Sequence, residues 1–262
     1  MKKTITSGLI ALAAMLSFSA HAEDTLNLSV GSEYTSGKYG AATSTNVWFF
    51  PVTASYQMDN TSISLTVPYV LITGSSVGIG TIGNQIQMGG GMNGGTNASR
   101  RVTAGLGDVV LAATQNIYAN IEHDWAIDLT GNIKFGTADS TKGLGTGKND
   151  YSVQADFSQY FGDTDLFGTV GWRKMGNPTG IMFNNPWFTS VGAGYSLSQT
   201  TRIGLAYDFR QKLIDGTANF SELLAFFNYN ISDQSRIQMY LLKGFTDNSP
   251  DFGMGATLNL SY

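Results

Sequence analysis

From residue 125 to 135 the chain alternates without a break: Trp125, Ile127, Leu129, Gly131, Ile133 and Phe135 are apolar or small, while Asp128, Thr130, Asn132 and Lys134 between them are polar. A period of two places these sets on opposite faces of a strand and is incompatible with a helix, whose faces repeat every 3.6 residues. The pattern returns at 48–56, 63–71, 151–157, 191–197, 203–209, 223–231 and 252–262. Less regular segments lie at about 26–35, 108–118, 165–175 and 235–245. Together they predict twelve strands of about 9 to 12 residues, the length that a tilted strand needs to cross the hydrocarbon of a bilayer.

The connections supply an independent test. Tight turns at 58–61, 119–123, 162–165, 198–201 and 232–235 alternate with generally longer loops at about 36–45, 73–107, 137–149, 176–186, 212–218 and 246–251. Aromatic residues gather at both predicted strand ends, Trp48, Phe135, Tyr151, Trp172, Trp187 and Phe209 toward the loops, and Tyr56, Trp125, Phe161, Tyr195, Tyr229 and Tyr262 toward the turns. Short turns on one side, long loops on the other and two aromatic girdles describe an all-β, transmembrane, antiparallel up-and-down β-barrel. A soluble sandwich also alternates, but its outward face carries charge. Here only 13% of the residues are charged, about half the roughly 25% usual for soluble domains, and the polar face is often Gly, Ser, Thr or Asn.

Residues 1–22 have the pattern of a secretory signal: Lys2 and Lys3, an apolar stretch from Ile5 to Phe18, and Ala20-His21-Ala22 as the cleavage site. As a membrane anchor the stretch is short and is interrupted by Ser7 and Ser17. Cleavage after Ala22 leaves residues 23–262 as a single barrel in the outer membrane of a Gram-negative bacterium, and losing the two lysines takes the net charge from −4 to −6. Without Cys there is no disulfide or thiol chemistry, and without a basic excess there is no electrostatic footprint for nucleic acid.

Twelve tilted strands close into a cylinder roughly 24 Å across between backbones, with a bore of roughly 10 Å after inward side chains are added. The alternation turns Asp128, Lys134, Asp156, Arg173, Arg202, Asp208, Arg210, Glu222 and Arg236 into this lumen. Charges belong there because a lipid-facing one is costly. They either form a polar path with transverse fields or brace the wall as ion pairs. Any plug has to come from a loop, and 73–107 is the candidate: it is Gly-rich, carries Ile79, Ile82, Ile86, Met88 and Met92, and ends in Arg100 and Arg101. It is either a constriction across the mouth or a surface loop.

No catalytic or cofactor motif stands in a suitable context. His123 is the one histidine left after the signal, and it falls in a turn; Asp128, Asp156, Asp208 and Glu222 are scattered. Residues 78–83 match a dinucleotide-binding Gly pattern but follow no parallel strand, and 143–148 is one spacer short of a phosphate loop. No cofactor and no metal are expected.

Gly105-Leu106-Gly107-Asp108-Val109-Val110-Leu111, Gly145-Thr146-Gly147-Lys148-Asn149-Asp150-Tyr151 and the final Phe252 to Tyr262 strand are similar to segments of the outer-membrane barrel family named for the phenol meta-cleavage degradation pathway. That resemblance implies uptake of aromatic or other small hydrophobic compounds. The partners expected are outer-membrane lipid, the barrel-assembly machinery through the C-terminal strand, and a small-molecule solute. The expected function is passive passage of small molecules; an outer-membrane hydrolase of lipid or peptide and a structural or adhesion barrel are the alternatives.

Overall fold

A computed structural model describes residues 24–74, 78–82, 85–89, 101–120 and 124–262; for 78–82, 85–89 and 101 only the backbone is described. The expected signal and its cleavage site, and His123, lie outside the described residues. In chain order the strands are β1 (Thr25–Gly37), β2 (Thr45–Met58), β3 (Thr61–Gly74), β4 (Gly78–Ile82), β5 (Gln85–Gly89), β6 (Arg101–Leu106), β7 (Val109–Asn120), β8 (Trp125–Phe135), β9 (Asp150–Phe161), β10 (Thr164–Lys174), β11 (Trp187–Ser196), β12 (Thr201–Arg210), β13 (Phe220–Ser232), β14 (Ser235–Gly244) and β15 (Phe252–Ser261).

Each wall strand pairs antiparallel with its neighbours, and β1 pairs with both β2 and β15, so the sheet closes on itself. Leu26 and Tyr262 exchange backbone hydrogen bonds of 3.1 and 2.9 Å at the closure. The lower half of β3 pairs with β7 and its upper half with β6. β6 and β7 therefore form one wall strand interrupted at Gly107 and Asp108, and the barrel has twelve staves. The segment 73–107 differs from the loop expected: β3 runs on to Gly74, β6 continues the wall, and β4 and β5 pair only with each other. Gly-rich stretches carry no readable alternation, which is why these strands escape a pattern search.

The β1–β2 ladder has no partners for Gly31 and Ser32, and the wall strand beside β3 is interrupted next to Pro68. Pro51 and Pro68 face each other across β2 and β3. Neither can donate a backbone hydrogen bond to its outer neighbour. Each ring instead covers a glycine: a Cβ on Gly31 would stand 2.9 Å from Pro51 Cγ, and one on Gly107 2.9 Å from Pro68 Cγ.

Large apolar side chains lie on the outside, where Leu241 is 64% and Val191 57% exposed, whereas buried side chains include Glu33, Thr35, Lys134, Asp150, Asp165, Arg210 and Glu222. A soluble protein has the opposite distribution, and a lipid-facing wall around a polar lumen has this one. Outside rings contact one another at both ends: Tyr34 and Trp48 are 4.9 Å apart and Trp48 stacks on Phe50 near the loops, while Tyr118 lies 4.4 Å from Trp125 near the turns. The tight turns use left-handed residues where the chain reverses, Asp59 at φ 44° and Gly162 at φ 64°.

Inside the loop end, Ala138 and Leu144 from the β8–β9 loop pack on Val47 and Phe49 of β2 and Val70 and Ile72 of β3. A Cβ on Gly105 would stand 2.7 Å from Leu144, so the glycine makes room for it. Met175 and Phe183 of the β10–β11 loop join Leu213 of the β12–β13 loop in a second cluster. Among the described residues, the apolar side chains that fold into the mouth come from these loops. Ile79, Ile82, Ile86 and Met88 lie on the β4–β5 hairpin and Arg101 at the start of β6, with side chains outside the described set; Met92 and Arg100 lie outside it altogether.

Candidate functional site

The inward faces enclose cavities of about 370, 300 and 590 Å³ that share Glu33 as a common wall. Their charged side chains are held in three distinct ways.

Near the loop end, Lys134 of β8 is held between two acids, with Nζ 2.5 Å from Asp108 and 3.2 Å from Asp150. Asp108 also accepts the backbone N–H of Ala138 at 3.0 Å, and Asp150 that of Gly176 at 2.8 Å. The Lys134 ammonium donates further to the carbonyl of Lys148 at 3.2 Å. One buried cation thus ties the β8–β9 and β10–β11 loops to the wall. With so many local partners it is a brace, and a single-partner loss would leave a buried charge exposed to a low dielectric.

Toward the turn end, Arg202 of β12 makes a two-pronged ion pair with Asp165 of β10, Nε donating at 2.7 Å. Its guanidinium lies 5.6 Å from the centre of Phe167 and 4.8 Å from that of Phe226. Bidentate pairing and aromatic cover on two sides fix it in place. Asp128 accepts from Asn116 Nδ2 at 2.8 Å. Asp156 accepts from Gln154 Nε2 at 3.0 and 2.9 Å and from Thr169 Oγ1 at 2.6 Å. Arg236 faces Asn230 and Asn259 across its neighbouring strands and is exposed.

Toward the loop ends of β10, β12 and β13 lies a chamber with Arg173, Asp208, Arg210, Glu222, Glu33 and Tyr240 in its walls. Arg210 stacks 4.5 Å over Phe220 and Arg173 5.5 Å over Phe188. Tyr240 donates its hydroxyl to Glu33 at 2.9 Å. Asp208 and Glu222 are direct cross-strand partners, and like charges in that position oppose each other. Glu222 is 6% exposed and its Oε1 accepts no hydrogen bond.

Above the chamber, a smaller cavity of about 130 Å³ runs between Tyr39, Leu213, Phe220 and Asn248 toward the loops. Burial pushes the Tyr39 hydroxyl up to about 12, so it is neutral. On the outer surface of the loops, hydrogen bonds from Asn184 and Lys212 hold Asp215 below the usual carboxylate range.

All nine charged positions expected on the inward face fall on strands of the wall. The structure brings Asp208 and Glu222 together, with Arg173 and Arg210 in the same chamber, and pairs Asp128 with Asp156 across β8 and β9; it holds Lys134 and Arg202 apart in local ion pairs. Sequence reasoning missed Glu33, Tyr240, Asp165, Asp108 and Asp150. Glu33 was legible: it lies out of phase with Leu28, Val30 and Tyr34, hence on the opposite face. Among the described residues, no group of three or more His, Asp or Glu is arranged to hold a metal ion.

No known family profile matches the chain, and no curated protein matches it in sequence. Solved structures do share its fold. An outer membrane channel from Pseudomonas putida F1 is similar with a TM-score of 0.64 at 14% identity, over 93% of this chain and 97% of that one. The NanC porin has a TM-score of 0.55 at 10% identity, over 90% and 98%. The KdgM porin in complex with disordered oligogalacturonate has 0.51 at 8%, over 91% and 98%. At such identities the likeness is one of fold, here to one outer membrane channel and two porins.

Proposed function

We propose that the chain is an outer-membrane channel that admits small molecules, aromatic and hydrophobic ones among them, by passive diffusion. The observation that carries this is the set of adjoining lumen cavities, polar and partly charged, inside a wall whose outer face is apolar. A lined path needs no cofactor, since the concentration gradient drives the flow. The likeness to channels and porins supports the reading, as does the similarity of the Gly105 to Leu111 and Gly145 to Tyr151 segments to the phenol meta-pathway barrel family. Membrane lipid and the barrel-assembly machinery, the latter through β15, are the partners that follow from it.

Swelling of liposomes carrying the protein, read with solutes of graded size, tests the proposal. Uptake is expected to fall with solute size, and deletion of 76–98 to alter it. Absence of permeation in both forms overturns the channel.

A further inference from the structure

The lumen's charge is unbalanced. Among described side chains, its inward face carries eight carboxylates, Asp108, Asp150, Asp165, Asp128, Asp156, Glu33, Asp208 and Glu222, against the five cations Lys134, Arg173, Arg202, Arg210 and Arg236. Lys134 and Arg202 are committed to Asp108, Asp150 and Asp165. Asp128 and Asp156 are held by neutral donors. In the chamber, Glu33 has the Tyr240 hydroxyl, whereas Glu222, a wall residue of the cavity of about 300 Å³, has a buried Oε1 that accepts no hydrogen bond.

An ionised oxygen in that position lacks a donor, and a buried acceptor without one is costly. Leu224 and the rings of Phe188 and Phe220 form the apolar part of the same wall. Arg173 and Arg210 cover these rings from one side and share the chamber with the carboxyl groups of Glu33, Asp208 and Glu222. A ligand that suits this wall has a compact apolar or aromatic body and one N–H donor carrying positive charge, since ammonium-to-carboxylate bonds are the strong ones and aromatic faces attract cations.

We infer that this chamber is a binding site for small organic cations, primary amines with an aromatic or aliphatic body, which donate to Glu222 between Asp208 and Glu33. Flow through the barrel then favours cations and their neutral analogues over anions. The flow half of this inference rests on the channel reading above; the binding half does not.

Benzylamine, benzyl alcohol and benzoate share one ring and differ in charge, so they serve as probes. Calorimetric titration of the detergent-purified full chain is expected to show benzylamine binding at least tenfold more tightly than benzoate. Glu222→Gln is expected to reduce benzylamine binding about tenfold while leaving benzyl alcohol unchanged. Asp163→Asn, which removes the same charge in the β9–β10 turn, keeps the wild-type preference. If Glu222→Gln does not fold, Asp208→Asn tests the same wall, with a loss of benzylamine binding expected. Equal binding of benzylamine and benzoate, or a benzylamine affinity that survives the chamber variant, overturns the site. In planar bilayers under a potassium chloride gradient, the reversal potential is expected to have the sign for cation preference. Conductance without charge preference overturns the selectivity and leaves the channel standing; binding without conductance overturns the channel and leaves the site.

Discussion

Asp108 and Asp150 reach one ammonium: Lys134 Nζ stands 2.5 Å from the first and 3.2 Å from the second, with all three side chains buried. Asp108, at the interruption between β6 and β7, and Asp150, the first residue of β9, therefore meet at a single cation contributed by the strand between them. Lys134→Met removes that cation and leaves two buried carboxylates side by side. A loss of about 3 to 5 kcal/mol is expected, read as a lower guanidinium midpoint in detergent. The Asp108→Asn variant keeps a second acid on the ammonium and is expected to lose less. If the order is reversed, Lys134 is not the brace.

Leu144 is the side chain that the β8–β9 loop inserts against Phe49 and Val70. Leu144→Ala empties that contact, and large-to-small changes in packed clusters cost about 2 to 5 kcal/mol. In this place the loss falls on a loop at the mouth, so the wall is expected to retain its far-ultraviolet strand signal while single-channel conductance rises. Unchanged conductance would mean that this loop does not restrict the path.

Glycine tolerance separates the seams beside the β2–β3 hairpin from the rest of the wall. A methyl group on Gly31 meets the Pro51 ring, whereas one on Gly131 meets nothing within 4 Å. Gly31→Ala is expected to destabilise the barrel by about 1 to 3 kcal/mol through overpacking, with Gly131→Ala neutral or slightly stabilising. Equal midpoints for the two variants would show that the proline covers adapt.

Asp215 clasps the β12–β13 loop to Asn184 of the β10–β11 loop. Because its folded-state pKa is depressed, its contribution is present at neutral pH and disappears as the pH falls through that lowered value. Acid is therefore expected to lower the amide protection factors of 175–186, taken relative to the intrinsic exchange rate at each pH, and Asp215→Asn to abolish that pH dependence. Protection factors that stay pH-dependent in the variant would assign the effect to another group.

The wall was legible because every stave follows one physical rule, apolar toward lipid and polar toward the lumen. Arg202 could be placed inside from Ile203 and Leu205 alone. Its bond to Asp165 could not, because that pair spans β10 and β12 and depends on the register of both hairpins. Asp208 and Glu222 face each other only because the β12–β13 loop has the length to set that register. Leu144 lay hidden for a different reason: a loop that folds inward has no period, and its buried leucine looks like any apolar residue among glycines.

Asn27 pairs with Ser261, almost the full length of the chain away. Until that last strand arrives, any partly assembled wall presents two rows of unpaired amides and carbonyls, one on β1 and one on the newest hairpin. The entropy of closing so long a loop is met only at the end, after eleven local pairings have reduced it. Assembly is thus local hairpin by hairpin but sealed by one distant contact, so a chain cut short by a single strand forfeits closure of the whole circle.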